Sequence, residues 1–143
     1  MKLWQRLYNM VWLAFFACTL LPRWFGRYTV IAHVVLGVGI LALALANKSS
    51  LSKLPVPDRL KRIAGAVAAL SIAQAVLGAG LGGLSHWITA PSWLGSVVDG
   101  IHVVLSLAIL AQSSSLATGY DMWEDQELGP AKGGEQQATG DKR

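Results

Sequence analysis

Long uncharged apolar runs, separated by short charged clusters, set the pattern of this chain. Four such runs recur, at residues 3–21, 28–46, 63–84 and 93–117. Each is close to the ~20 residues that a helix needs to cross a hydrocarbon core. A helix of a water-soluble domain carries a polar face opposite its apolar stripe, and these runs carry none. They also lack the apolar–polar alternation of a membrane strand. The remaining spanning solution is the helix, whose backbone groups pair internally. The pattern therefore predicts an all-α fold, a four-helix transmembrane bundle over residues 1–118. Residues 119–143 are predicted to be a polar, disordered tail, acidic at "YDMWEDQEL" and then rich in Gly and Gln.

The first run opens on "MKLWQR", as a secretion signal does, but "FFAC" is a poor lipobox and no small-x-small cleavage site follows. It is read as a retained helix. Orientation comes from the connections. Lys48, Lys53, Arg59, Lys61 and Arg62 crowd the second one, whereas "SHWITAPSW" in the third has no lysine or arginine. This bias predicts cytoplasmic termini, with the first and third connections outside. Trp24, Trp87 and Trp93 then fall at the outer headgroup level, where indoles are favoured.

Composition sharpens this picture in two places. In 143 residues, 53% are hydrophobic and 14% charged, which suits about one membrane domain. The net charge of +4 is carried beside the spans, where it orients the chain, so membrane lipid and not nucleic acid is the expected partner. The single cysteine, Cys18, makes no internal disulfide and belongs to no Cys-x-x-Cys motif. It reads as a small buried hydrophobe. Phosphate-binding glycine loops, zinc signatures and soluble-type triads are missing from the sequence.

Candidate chemistry lies in "GSVVDGIHVV" and "YTVIAHVVLGVG". Ionisable residues inside a bilayer are costly and are functional candidates by default. His33 and His102 stand near the outer starts of the second and fourth runs, roughly 8 and 13 Å deep at 1.5 Å per residue. Two imidazoles at nearly one depth on neighbouring helices can ligate one iron, as haem sites in helical bundles do. Gly37 and Gly78 offer room for helices or a flat macrocycle to approach. Asp99, three residues before His102, is predicted on about the same helix face. It is a candidate catalytic residue, as second-shell acceptor, proton carrier or participant in cofactor chemistry. Gln74 is the other strongly polar residue near mid-membrane. His86, in the outer connection, reads as an interfacial residue.

Taken in order, His33, then "QAVLG" from Gln74 to Gly78, a Gly-rich outer end, a Pro-containing connection and His102 resemble one four-helix half of the heme A synthase family. The likeness is to its compact, half-length archaeal form and covers about residues 28–117. The resemblance implies a prokaryotic plasma-membrane protein that oxidises the methyl group of haem O to the formyl group of haem A for terminal oxidase assembly. It also implies His33 and His102 as iron ligands, Gln74 and Gly78 as the third-helix motif, and possible homo-oligomers. The chain departs from the family at Val30, where a glutamate is usual, and at Val34, where an arginine often follows the histidine. The outer-connection cysteine pair is missing too. Asp99 is the expected replacement carboxylate. Two other readings stand beside this one: a small b-type cytochrome in a quinol-oxidising or terminal oxidase complex, and a cofactor-free accessory subunit.

Overall fold

The computed structural model of the chain describes residues 2–19, 28–84 and 92–127. Four helices account for almost all of them: α1 Leu3–Thr19, α2 Thr29–Leu51, α3 Asp58–Leu84 and α4 Ser92–Glu127. No strand occurs among the described residues. The all-α bundle expected from the sequence is the observed fold. α2, α3 and α4 each contain a stretch long and apolar enough to cross a membrane. α1, at 17 residues, is at the short end of that range.

The second connection forms because two prolines stop the chain from continuing as helix. Pro55 and Pro57 lack backbone N–H groups and disfavour helical geometry in the residues before them. α3 restarts immediately afterwards, with Asp58 in its first turn and the Leu60 N–H donating to the Pro57 carbonyl at 2.9 Å. Lys48 in the last turn of α2 meets the negative end of that helix.

Neighbours in sequence are neighbours in space, and α4 closes the square against α1. Each helix buries a stripe at three- and four-residue spacing: Leu7, Met10 and Ala14 on α1; Ile40, Ala44, Asn47 and Leu51 on α2. α3 contributes Leu60, Ala64, Val67, Ala68 and Ser71, and α4 contributes Ile109, Ser113, Leu116, Ala117 and Tyr120. One cluster gathers Leu7, Leu51, Leu60, Leu116 and Tyr120, so the start of α1, the end of α2, the start of α3 and the end of α4 share one end of the bundle. A second cluster, Met10, Ala14, Ile40, Ala44, Val67 and Ile109, forms the next layer up. Beyond it the buried stripes stop at nearly one level on all four helices. The bundle is solid in one half and hollow in the other.

The outer surface is apolar along α2 and α4. Val35 (64% exposed), Val103 and Val104 are typical, as expected of side chains that face lipid. The 36 residues of α4 extend about 54 Å at 1.5 Å per residue, well beyond the ~30 Å of a hydrocarbon core. Its acidic last turns therefore continue past the apolar region.

This corrects the boundary expected from composition. Residues 119–127 are helical, Tyr120 is buried in the first cluster and Trp123 packs against it. Acidic composition misled because only one face of these turns is charged. The other, Tyr120 and Trp123, packs on α1, whose Tyr8 hydroxyl also donates to one of the carboxylates, Asp121. Residues 128–143, Arg23, Trp24, Arg27, His86 and Trp87 lie outside the described residues, as do the expectations attached to them.

Candidate functional site

The hollow half holds a cavity of about 590 Å³ that all four helices line. This is within the ~300–1,000 Å³ typical of small-molecule and cofactor sites. α2 contributes His33 and Gly37 at helical spacing, and α4 contributes His102, Ser106 and Ile109. α3 supplies Ser71, Gln74 and Gly78, again one face of a helix. The apolar layer of Ile40 and Ile109 forms its floor towards the solid half.

The two histidines meet across this space. Their ring centroids are 5.8 Å apart and their planes are inclined at 41°. Two imidazole nitrogens about 2.0 Å from one metal, on opposite sides, would put the centroids about 6.2 Å apart. The observed separation is about 0.4 Å shorter, so the two rings are near enough that both could hold one metal ion. The equal depth arises from unequal helix starts. His102 is about 15 Å along α4 and His33 about 6 Å along α2, because α4 begins further out.

His102 is the more firmly held of the pair. Gln74 Nε2 donates to the His102 carbonyl at 3.0 Å and to Ser106 Oγ at 2.5 Å. Ser106 Oγ donates to the same carbonyl at 2.9 Å. These bonds tie α3 to α4 directly below the ring. A Cβ at Gly78 would lie 3.6 Å from His102 Cε1, so the ring edge packs against the backbone of α3. Gly37 plays a different part: nothing lies within 4 Å of a Cβ placed there, and its open side belongs to the cavity. His33 lines the cavity from an exposed position on α2.

Asp99 does not join this group. It is exposed and is not among the cavity-lining residues, although it precedes His102 by three positions. Residues 93–97 of α4 are exposed as well, so that end of the helix has no covering neighbour among the described residues. A shared helix face brings two side chains into one site only as far as another helix covers it. Sequence reasoning also missed Ser71 and Ser106. Both are small hydroxyls on the faces of Gln74 and His102, three and four residues away, and that spacing was their signal. Cys18, expected as a small buried hydrophobe, is partly buried and lines the cavity.

No family model, curated protein or solved structure matches the chain. The site has to be interpreted from its own residues.

Proposed function

We propose that this chain is an integral-membrane haem protein in which His33 and His102 would hold the haem iron. The observation that carries this reading is the imidazole pair, 5.8 Å apart across an apolar cavity of about 590 Å³. Two imidazoles are too few donors for a bare metal ion such as zinc, which takes four. Among the described residues no group of three or more His, Cys, Asp or Glu side chains is placed to supply them. A haem brings most of its iron's donors with it, so two imidazoles would suffice to hold it here.

When bound, the haem supplies one-electron iron chemistry. The chain's own residues do the rest. His33 and His102 would hold the iron, Gln74 and Ser106 fix the backbone that carries His102, and Gly78 leaves space for its ring. The valines and alanines that complete the lining make the surroundings of the rings apolar. The charge distribution favours cytoplasmic termini and a haem near the outer side of the membrane, and the resemblance to heme A synthases implies a prokaryotic plasma membrane.

Two activities fit a haem held in this way. The resemblance to heme A synthases implies oxidation of a haem methyl group to a formyl group. One observation favours the other reading, a b-type electron-transfer subunit of a quinol-oxidising or terminal oxidase complex. No carboxylate is among the described lining residues: Val30 lines the cavity where the family has glutamate, and Asp99 is not among them.

Expression in haem-replete cells followed by absorption spectroscopy tests the haem reading. A Soret band that is lost in both His33→Ala and His102→Ala is the expected result, and a colourless wild-type protein refutes it. Extraction of the pigment then separates the activities. Haem A, formed from supplied haem O, identifies the enzyme; unmodified haem b identifies the cytochrome.

A further inference from the structure

The cavity is walled unevenly. On α1 and α4 none of its lining residues is exposed: Ala14 and Ile109 are buried, and Ala17, Cys18, His102 and Ser106 are partly buried. Between α3 and α4 the wall is closed by the Gln74 bonds to the His102 carbonyl and Ser106, and by Gly78 against the His102 ring. The exposed lining residues all belong to α2 and α3. Val34 (58% exposed) and Val38 (62%) are one turn apart on α2, and Ala75 and Ala79 are one turn apart on α3. A side chain that borders a cavity and is still mostly uncovered stands at its rim.

α2 and α3 do meet in the solid half, where both contribute to the two buried clusters. Ala68 lies seven residues before Ala75 on the same face of α3 and is 1% exposed. The cover on that face therefore ends between them. On α2, Gly37 has nothing within 4 Å of a Cβ placed there. Among the described residues the two helices thus leave a side opening, bordered by residues 34–38 and 75–79.

This opening lies at the depth of lipid chains. Residues 28–47 and 63–84 contain no lysine, arginine, aspartate or glutamate. Lys48 is ten residues from Val38, about 15 Å, and Arg62 is thirteen from Ala75, about 20 Å. Val35 and Val76, beside the rim, are exposed and apolar. A molecule dissolved in the bilayer can pass such a rim, whereas a water-soluble one must leave its hydration behind. Two polar groups point to an occupant. His33 is exposed beside Val34, and an imidazole left against lipid chains is costly. Ser71, 4% exposed, lines the cavity with its hydroxyl unpartnered among the described residues.

We infer that the cavity is loaded sideways from the bilayer, between α2 and α3, by a lipid-soluble amphipathic molecule. Its polar or metal-bearing centre reaches the histidines, and its apolar flank stays at the rim formed by Val34, Val38, Ala75 and Ala79. Haem as that molecule rests on the reading above; the opening itself does not.

Photolabelling of the haem-free protein in lipid vesicles tests the opening, with an apolar aryl diazirine dissolved in the bilayer and adducts mapped by mass spectrometry. Adducts are expected on Gln74 and His102, inside the cavity, as well as on lipid-facing Val35 and Val76. Ala75→Phe and the milder Ala75→Leu narrow the rim and are expected to lose the inner adducts while keeping the outer ones, which also report correct insertion. Outer adducts alone in the wild type overturn the inference, as do undiminished inner adducts in both variants. Haem transfer between vesicles tests the route on the loaded protein. A narrowed rim slows loading and release together, and release that is unchanged or faster in both variants overturns sideways loading. A colourless wild type refutes the haem reading and leaves the photolabel to decide the opening.

Discussion

Gly78 is the position at which the cavity can be perturbed with a known distance. A methyl group there would sit 3.6 Å from His102 Cε1, an ordinary van der Waals contact. Gly78→Ala is therefore expected to bind haem within about twofold of wild type and to gain helix stability of up to about 1 kcal/mol. A further carbon, about 1.5 Å beyond Cβ, comes to roughly 2.1 Å from the ring when aimed at it, far inside contact distance. Gly78→Leu is expected to displace the His102 ring or to fill cavity space beside it, and either outcome opposes haem binding. Overpacking of this kind costs about 1–3 kcal/mol. Taken entirely from the bound state, that cost weakens haem binding roughly fivefold to 150-fold at about 1.4 kcal/mol per factor of ten. The assay is haemin titration of the detergent-solubilised apoprotein by Soret absorbance, with helical circular dichroism on the same samples. The expected series is wild type equal to Ala, then Val, then Leu, each folded. Wild-type affinity in a folded Leu variant would refute the placement of this ring against α3.

Other substitutions separate the solid half of the bundle from the hollow one. A Cβ at Gly119 would lie 2.8 Å from Leu60 Cδ2, so the tip of that buried side chain must shift; Gly119→Ala should therefore lack the stability gain of Gly78→Ala and lower the melting temperature relative to it, with an unaltered haem spectrum. Leu116 is fully buried in the lower cluster, and Leu116→Ala is expected to cost about 2–5 kcal/mol in denaturant titration. Asp99→Asn, at an exposed site outside the cavity, should leave haem affinity and the extracted pigment unchanged. Loss of haem A formation in that variant alone would restore Asp99 to the chemistry.

Much of the architecture was legible in the chain because lipid imposes a simple rule. Backbone groups without water must pair within a helix, so apolar length alone marked the spans and fixed the all-α class. That His33 and His102 could come together was legible from helical rise counted along each run, and their rings are neighbours in the fold. Termini were harder: the pattern ended the second run at residue 46 and began the third at 63, whereas α2 runs to Leu51 and α3 starts at Asp58. Polar residues such as Asn47 and Lys48 belong to helix that leaves the apolar zone, where composition no longer reports conformation.

What only the tertiary structure decided is where packing ceases. The stripe on each helix continues in sequence past Ala14, Ile40, Ser71 and Ile109, yet the side chains beyond that level line a cavity in place of a core. Small residues there, Gly37, Ala75, Gly78 and Ala79, do not fill the space between four helix axes. That shortfall is a sum over four helices, which no single segment reveals. The same summation kept Gln74 in the site, bonded to the backbone beneath His102, and left Asp99 outside it. A one-dimensional pattern records which face of a helix a residue occupies; whether another helix covers that face depends on the three-dimensional arrangement.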